Sequence, residues 1–143
     1  MIYTAMTKKA LRLCFDAHKD QNDKSGMPYV FHPFHLAAQM KDESTTIVAL
    51  LHDIVEDTDY TLEDLRGMGF CEEVLLAISF MTHSPDVPYM EYVAKIKTNA
   101  IAREVKLADL KHNSDMTRYD KITPYDIERT EKYKKAIALL END

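Results

Sequence analysis

Ile47-Val48-Ala49-Leu50-Leu51-His52-Asp53-Ile54-Val55-Glu56-Asp57 is the stretch whose reading decides the fold. Its first five residues are apolar on every side, which suits a helix running through the middle of a domain better than one lying on its surface. The last turns reverse that character. His52 and Glu56 are spaced i, i+4, as are Asp53 and Asp57, so a histidine and three carboxylates cluster within about one turn. They also sit at the C-terminal end, where the helix dipole already presents negative charge. Either this end is a solvated acidic surface or a cation is bound there. The adjacent histidine and the apolar approach favour the cation.

On both sides of this stretch apolar residues recur at helical spacing, and only three glycines and five prolines interrupt the 143 residues. That pattern predicts an all-α chain. Periodicity and start signals predict helices over residues 4–21, 33–40, 44–57, a short one from Thr61, then 71–81, 88–97, 100–117 and 124–140, with a loop over 22–33. Pro33 falls in the first turn of the second helix, where its missing N–H does no harm, and His32 is expected just ahead of it. There is no internal repeat, low-complexity tract or linker. Residues 1–143 are therefore expected to form one domain, long enough for a continuous core without disulfides.

Charge and composition narrow the partners. Eighteen basic residues against 24 acidic ones give a formal net charge of −6, which disfavours a nucleic acid polymer but leaves room for a small phosphorylated ligand held by local lysines or a metal. Cys14 and Cys71 form no CxxC pair, so neither a disulfide framework nor a zinc knuckle is suggested. The longest aliphatic run, residues 47–51, is far too short to span a bilayer, and no membrane partner is expected. A cytoplasmic location is expected.

The predicted helix over residues 100–117 supplies a second polar group aimed inward. Ile101, Ala102, Val105 and Ala108 make its apolar face, and at about 100° per residue Asp109 falls on that face, with Asn113 one turn further. A carboxylate pointed at a core needs a partner, and a lysine, an arginine or a metal would serve. Together with His32, His52 and Asp53 it makes a mixed nitrogen and oxygen set suited to one first-row divalent ion, with positions open for water and substrate. Such an ion lowers the pKa of water and neutralises phosphoryl oxygens. Glu56 and Asp57 are then placed to orient the water or take its proton. His18, His35, His83 and His112 are read as satisfied core or surface residues. Lys97, Arg103, Lys106 and Arg118 are available to phosphates, with no spacing that selects among them.

Three ordered motifs carry a resemblance: Ser25-Gly26-Met27-Pro28-Tyr29 leading to His32-Pro33; Leu50-Leu51-His52-Asp53-Ile54-Val55-Glu56-Asp57-Thr58; and Val105-Lys106-Leu107-Ala108-Asp109-Leu110-Lys111-His112-Asn113. Together they resemble the HD-domain hydrolases of the RelA/SpoT type, closest to the stand-alone small alarmone hydrolases, since a chain of this length leaves no room for synthetase and regulatory domains. The resemblance covers most of the chain and implies a single HD-domain helical bundle of about seven or eight helices. It implies manganese-dependent removal of the 3′-pyrophosphate from guanosine 3′,5′-bis(diphosphate), the alarmone of the stringent response. It also implies His32, His52, Asp53 and Asp109 as metal ligands, Glu56 and Asp57 as the catalytic pair, and Lys24, Asn113 and Tyr133 as nucleotide contacts. Two departures stand out. Asp23 occupies the place of an arginine, and Ser114-Asp115-Met116 replaces the Met-Arg-Thr that follows the asparagine. Asp23 supports one alternative, an HD-domain hydrolase of another phosphorylated nucleotide; a third reading, a non-catalytic domain that binds metal or nucleotide for regulation, is opposed by the Glu56-Asp57 pair beside the ligands.

Overall fold

Three helices open on the same device. Thr4, Thr61 and Thr123 each accept the backbone N–H of the third helical residue (Thr7, Asp64 and Asp126), whose side chain in turn accepts the N–H of the threonine. These reciprocal bonds satisfy backbone donors that a helix start leaves free. Asp42 and Asn99 cap two further helices by accepting from Thr45 and Ala102.

The computed structural model describes residues 1–142; Asp143, the last residue of the expected domain, lies outside the described residues. In chain order the helices are α1 (Ala5–His18), α2 (Phe31–Ala38), α3 (Glu43–Leu51), α4 (Ile54–Asp57), α5 (Leu62–Gly67), α6 (Glu72–Met81), α7 (Tyr89–Ile96), α8 (Ala100–Asn113) and α9 (Pro124–Glu141), with a 3₁₀ turn at Met116–Arg118. No strand is present among the described residues, where Asn22 and Pro28 form only an isolated bridge. The all-α expectation holds. Among the described residues no helix is long and apolar enough to cross a membrane.

α3 is the central helix, in contact with α1, α2, α6 and α8. Every side chain over residues 45–51 is buried, and Leu50, Leu51 and Ile54 pack with Leu36, Ile78, Val105 and Leu110 in the core. Each such aliphatic side chain contributes about 1.5–3 kcal/mol on leaving water. Hydrophobic continuity through α3 thus fixes where the chain's polar end groups must emerge.

Three predicted boundaries shift. The helix expected over 44–57 is broken at His52 and Asp53 into α3 and α4, with Asp53 at φ −101°, ψ 0°. His52 keeps helical dihedrals, and its Nδ1 bonds the Ala49 carbonyl at 2.7 Å at the point where the helix gives way. His32, expected ahead of the second helix, is instead the second residue of α2, whose N-cap is Val30. α8 stops at Asn113, where the Ser114 N–H closes on Leu110 and His112 carbonyls.

Leu50→Ala should cost about 2–5 kcal/mol, because a fully buried leucine leaves both lost transfer energy and a cavity. Urea denaturation followed by circular dichroism measures it. A loss below about 1 kcal/mol, the range of ordinary surface changes, would contradict the central placement of α3.

Candidate active site

His52 stands at the break between α3 and α4, and its backward bond from Nδ1 to the Ala49 carbonyl fixes the ring. A carbonyl only accepts, so Nδ1 carries hydrogen and the neutral ring has its lone pair on Nε2. That atom is buried and makes no hydrogen bond. It nevertheless faces Asp53 Oδ2 at 3.2 Å and Asp109 Oδ1 at 3.6 Å. Three electron-rich atoms so placed require positive charge between them, from a proton or from a metal ion. Burial opposes protonation of His52, but Asp53 and Asp109 carry its pKa well above the ordinary imidazole value. Burial likewise opposes ionisation of Asp53, while His52 holds its pKa down at about 2.

α2 and α8 bring the remaining groups. His32 Nε2 lies 2.8 Å from Asp109 Oδ1, and the nearest ligand atoms of His32, His52 and Asp109 all fall within 4.8 Å of one another. The predicted quartet is thus assembled as a tight triad, with Asp53 joined to it through His52. Tyr29 donates its hydroxyl to Asp53 Oδ2. Asp109 is 5 % exposed and collects Lys106 Nζ at 2.9 Å on Oδ2 and Asn113 Nδ2 at 3.0 Å on Oδ1. Against the cost of burial, Lys106 and the two histidines hold its pKa well below the carboxylate range. Both partners expected for this inward carboxylate, a lysine and a possible metal position, are present together. The unpaired Nε2 and the mixed donor set fit a divalent cation.

Histidines on the outer side of His32 depart from expectation. His112 Nδ1 shares a hydrogen bond of 2.7 Å with His32 Nδ1, and the His35 and His112 rings stack at 4.0 Å. Burial, then Arg118 and the neighbouring rings, push the His112 pKa down to about 4. His112 therefore orients a triad histidine, a role signalled in sequence only by its position three residues after Asp109. His18 and His83 are satisfied as expected, by Gln21 at 2.9 Å and by the Val87 carbonyl at 2.7 Å.

Glu56 and Asp57 occupy α4, exposed and about one turn beyond Asp53. Glu56 accepts the His83 N–H. Burial, followed by repulsion from Asp53 and Glu56, raises the Asp57 pKa to about 6. A cavity of about 250 Å³ is lined by His32, Tyr29, Asn113, Lys24, Arg129 and Tyr133, among others. It gathers the three residues implied as nucleotide contacts. Two of them already have partners: Asn113 bonds Asp109, and Lys24, in the loop expected over residues 22–33, pairs with buried Asp126.

Known proteins share this architecture. A solved structure of a metazoan ortholog of SpoT, described as hydrolyzing ppGpp and playing a role in starvation responses, superposes with TM-score 0.77 at 25% identity, covering 99% of this chain and 89% of that one. A GTP pyrophosphokinase of Streptomyces coelicolor is 37% identical over 138 residues, 87% of this chain. The bifunctional (p)ppGpp synthase/hydrolase SpoT of Escherichia coli is 44% identical over 65 residues, 43% of this chain. The chain belongs to the RelA/SpoT-type HD-domain family. It spans only 15% and 9% of the length of those two curated relatives. No family model matches the chain.

Within this HD-domain fold the family departure at position 23 has a definite structural use. Asp23 Oδ1 accepts the N–H groups of Ser25 at 2.8 Å and Met27 at 3.0 Å, shaping the turn whose Gly26 has φ +81°. Its Oδ2 lies 3.8 Å from Arg118 Nη2. An arginine at this position could not accept those amides. Asp23→Ala should therefore free two backbone donors and destabilise the loop by roughly 1 kcal/mol. Amide exchange at Ser25 and Met27 should rise while exchange in α3 stays unchanged; unaltered protection at both amides would contradict this role for Asp23.

Proposed function

We propose that the chain is a metal-dependent phosphohydrolase acting on guanosine 3′,5′-bis(diphosphate), within one HD domain over residues 1–143. The observation that carries the reading is the buried, unpaired His52 Nε2 facing two carboxylates. His32, His52, Asp53 and Asp109 would hold one divalent ion, with manganese the proposed metal. When bound there, such an ion supplies an activated water and neutralises phosphoryl oxygens. The family's members named for ppGpp hydrolysis support the substrate.

The chain's own residues supply the remaining functions. The reaction adds water across the bond between the 3′-oxygen and its phosphorus, giving guanosine 5′-diphosphate and pyrophosphate. One proton leaves the attacking water, and Glu56 and Asp57, one turn beyond Asp53, are the proposed acceptors. The His83 N–H fixes Glu56 in place. Lys24, Asn113 and Tyr133, on the walls of the cavity that includes His32, would receive the nucleotide. Lys106, Asn113 and His112 hold Asp109 and His32 in register, as groups around metal ligands commonly do.

Asp23 favours a second reading in one respect. Its carboxylate lies beside Arg118 where the resemblance expects an arginine, which supports a hydrolase of another phosphorylated nucleotide. Pyrophosphate or phosphate release over a panel of guanine and adenine nucleotides, with manganese and with chelator, separates the two. The first reading expects the guanosine bis(diphosphate) to be the best substrate and chelator to abolish turnover. Preference for another nucleotide establishes the second.

Two substitutions test the site assignments. Asp109→Ala should lose bound metal along with activity, because the remaining carboxylate and imidazoles no longer enclose an ion. Elemental analysis of the purified variant decides it, and full occupancy would exclude Asp109 as a ligand. Glu56→Gln should retain metal and lower kcat by about a hundredfold or more, since the amide keeps the shape but takes no proton. Unchanged turnover would transfer that role to Asp57.

A further inference from the structure

Another cavity is built partly from the segment that holds Glu56. It offers about 270 Å³ between α6 and α7, with Leu76 and Phe80 of α6, Tyr92 and Lys95 of α7, and His83 and Val87 of the segment that joins them among its walls. None of these residues lines the cavity beside the triad. Apolar atoms here meet water: Leu76 is 54 % exposed and Val87 37 %. Surface of that kind gains by being covered.

Two features give this cavity a chemistry. The rings of His83 and Tyr92 stack with centres 4.4 Å apart and planes 25° apart, and Phe80 adds a third ring, so a flat apolar body finds aromatic surface to lie against. Lys95 is exposed. Its Nζ lies 5.9 Å from the Phe80 ring centre, and it pairs with no carboxylate among the described residues. Apolar walls with one unpaired cation suit a ligand that is apolar at one end and anionic at the other. His83 links the cavity to the active site. Its backbone N–H donates to Glu56, its ring Nε2 bonds the Val87 carbonyl at 2.7 Å, and the Val87 N–H donates to the Ser84 carbonyl at 3.1 Å. One closed turn therefore touches both.

We propose that this cavity binds a small planar apolar acid, its ring covering Leu76 and Val87 and its carboxylate meeting Lys95, and that occupancy steadies Glu56 through His83. The second part rests on the role proposed above for Glu56; the first does not. A ligand that bridges α6, α7 and the joining segment restricts the turn, and a Glu56 held on the His83 N–H keeps its other oxygen in one place for a larger share of the time.

The test uses two probes of the same shape, indole-3-acetate and its neutral amide indole-3-acetamide, on the wild-type chain and Lys95→Gln. Amide chemical shifts are followed in chelator, so that no metal competes for the carboxylate. The acetate should give saturable shifts at Leu76, His83 and Val87 with a dissociation constant of about a millimolar, the range for a ligand of this size. The acetamide should bind about threefold more weakly, the worth of one exposed ion pair. Lys95→Gln should bring the acetate to the acetamide's affinity and leave the acetamide's unchanged, and its amide spectrum reports its folding. No saturable shift at those residues, equal binding of the two probes, or equal binding of the acetate to the two proteins overturns the site. With manganese, saturating acetate should raise kcat on guanosine 3′,5′-bis(diphosphate) about twofold or more at constant KM, and the rise should need more acetate in Lys95→Gln. Binding without that rise overturns the link to Glu56. If the wild-type chain turns over no nucleotide, the function proposed above fails by itself, and the shifts decide the site.

Discussion

The bond from His52 Nδ1 to the Ala49 carbonyl is the interaction on which the site depends. It holds the ring at the point where α3 gives way to α4 and the apolar run ends. It also selects the ring nitrogen left to face Asp53 and Asp109. One contact of this kind sets a tautomer and the direction of a lone pair together. The surrounding core gives it force. α3 is enclosed by α1, α2, α6 and α8, and a ring anchored at its end cannot swing away to relieve the crowding of negative charge.

Packing then explains why groups distant in sequence converge. α2 and α8 both lie against α3, so His32 and Asp109 arrive from two helices at the end of a third. Polar residues one turn away complete the arrangement. Lys106 and Asn113 are placed three residues before and four after Asp109, positions that share a helix face. The imidazole column of His35 and His112 closes the outer side of His32. Each carboxylate is buried at a cost that is offset only when its neighbours hold opposite charge or donate hydrogen bonds.

Much of this was legible in the chain. All-α periodicity, the central apolar helix and the inward face of Asp109 follow from spacing alone, because burial imposes a period on sequence. The group of His32, His52 and Asp109 could be anticipated from the inward face of Asp109, the polar end of the apolar stretch over residues 47–51 and the three ordered motifs. Less legible was whatever depended on a side chain choosing among partners. Nothing in Asp23 distinguishes a missing cation from a carboxylate that ties Ser25 and Met27. Lys24 gives no sign of Asp126, and the break after Leu51 is hidden because His52 has an acceptable helix propensity. His112 reads as one more surface histidine until α2 is brought beside α8. These are tertiary choices, made by geometry after the helices have formed.

The pairing of Lys24 with Asp126 joins positions 102 residues apart, and this has a consequence for the order in which the molecule matures. On a ribosome the triad side of the cavity becomes complete once α8 has emerged, whereas Lys24 must wait for the first turn of α9. Until then the loop that follows α1 carries an untethered ammonium, and Arg129 has not yet been made. The residues of the triad can therefore all be present in a nascent chain whose second cavity wall does not yet exist.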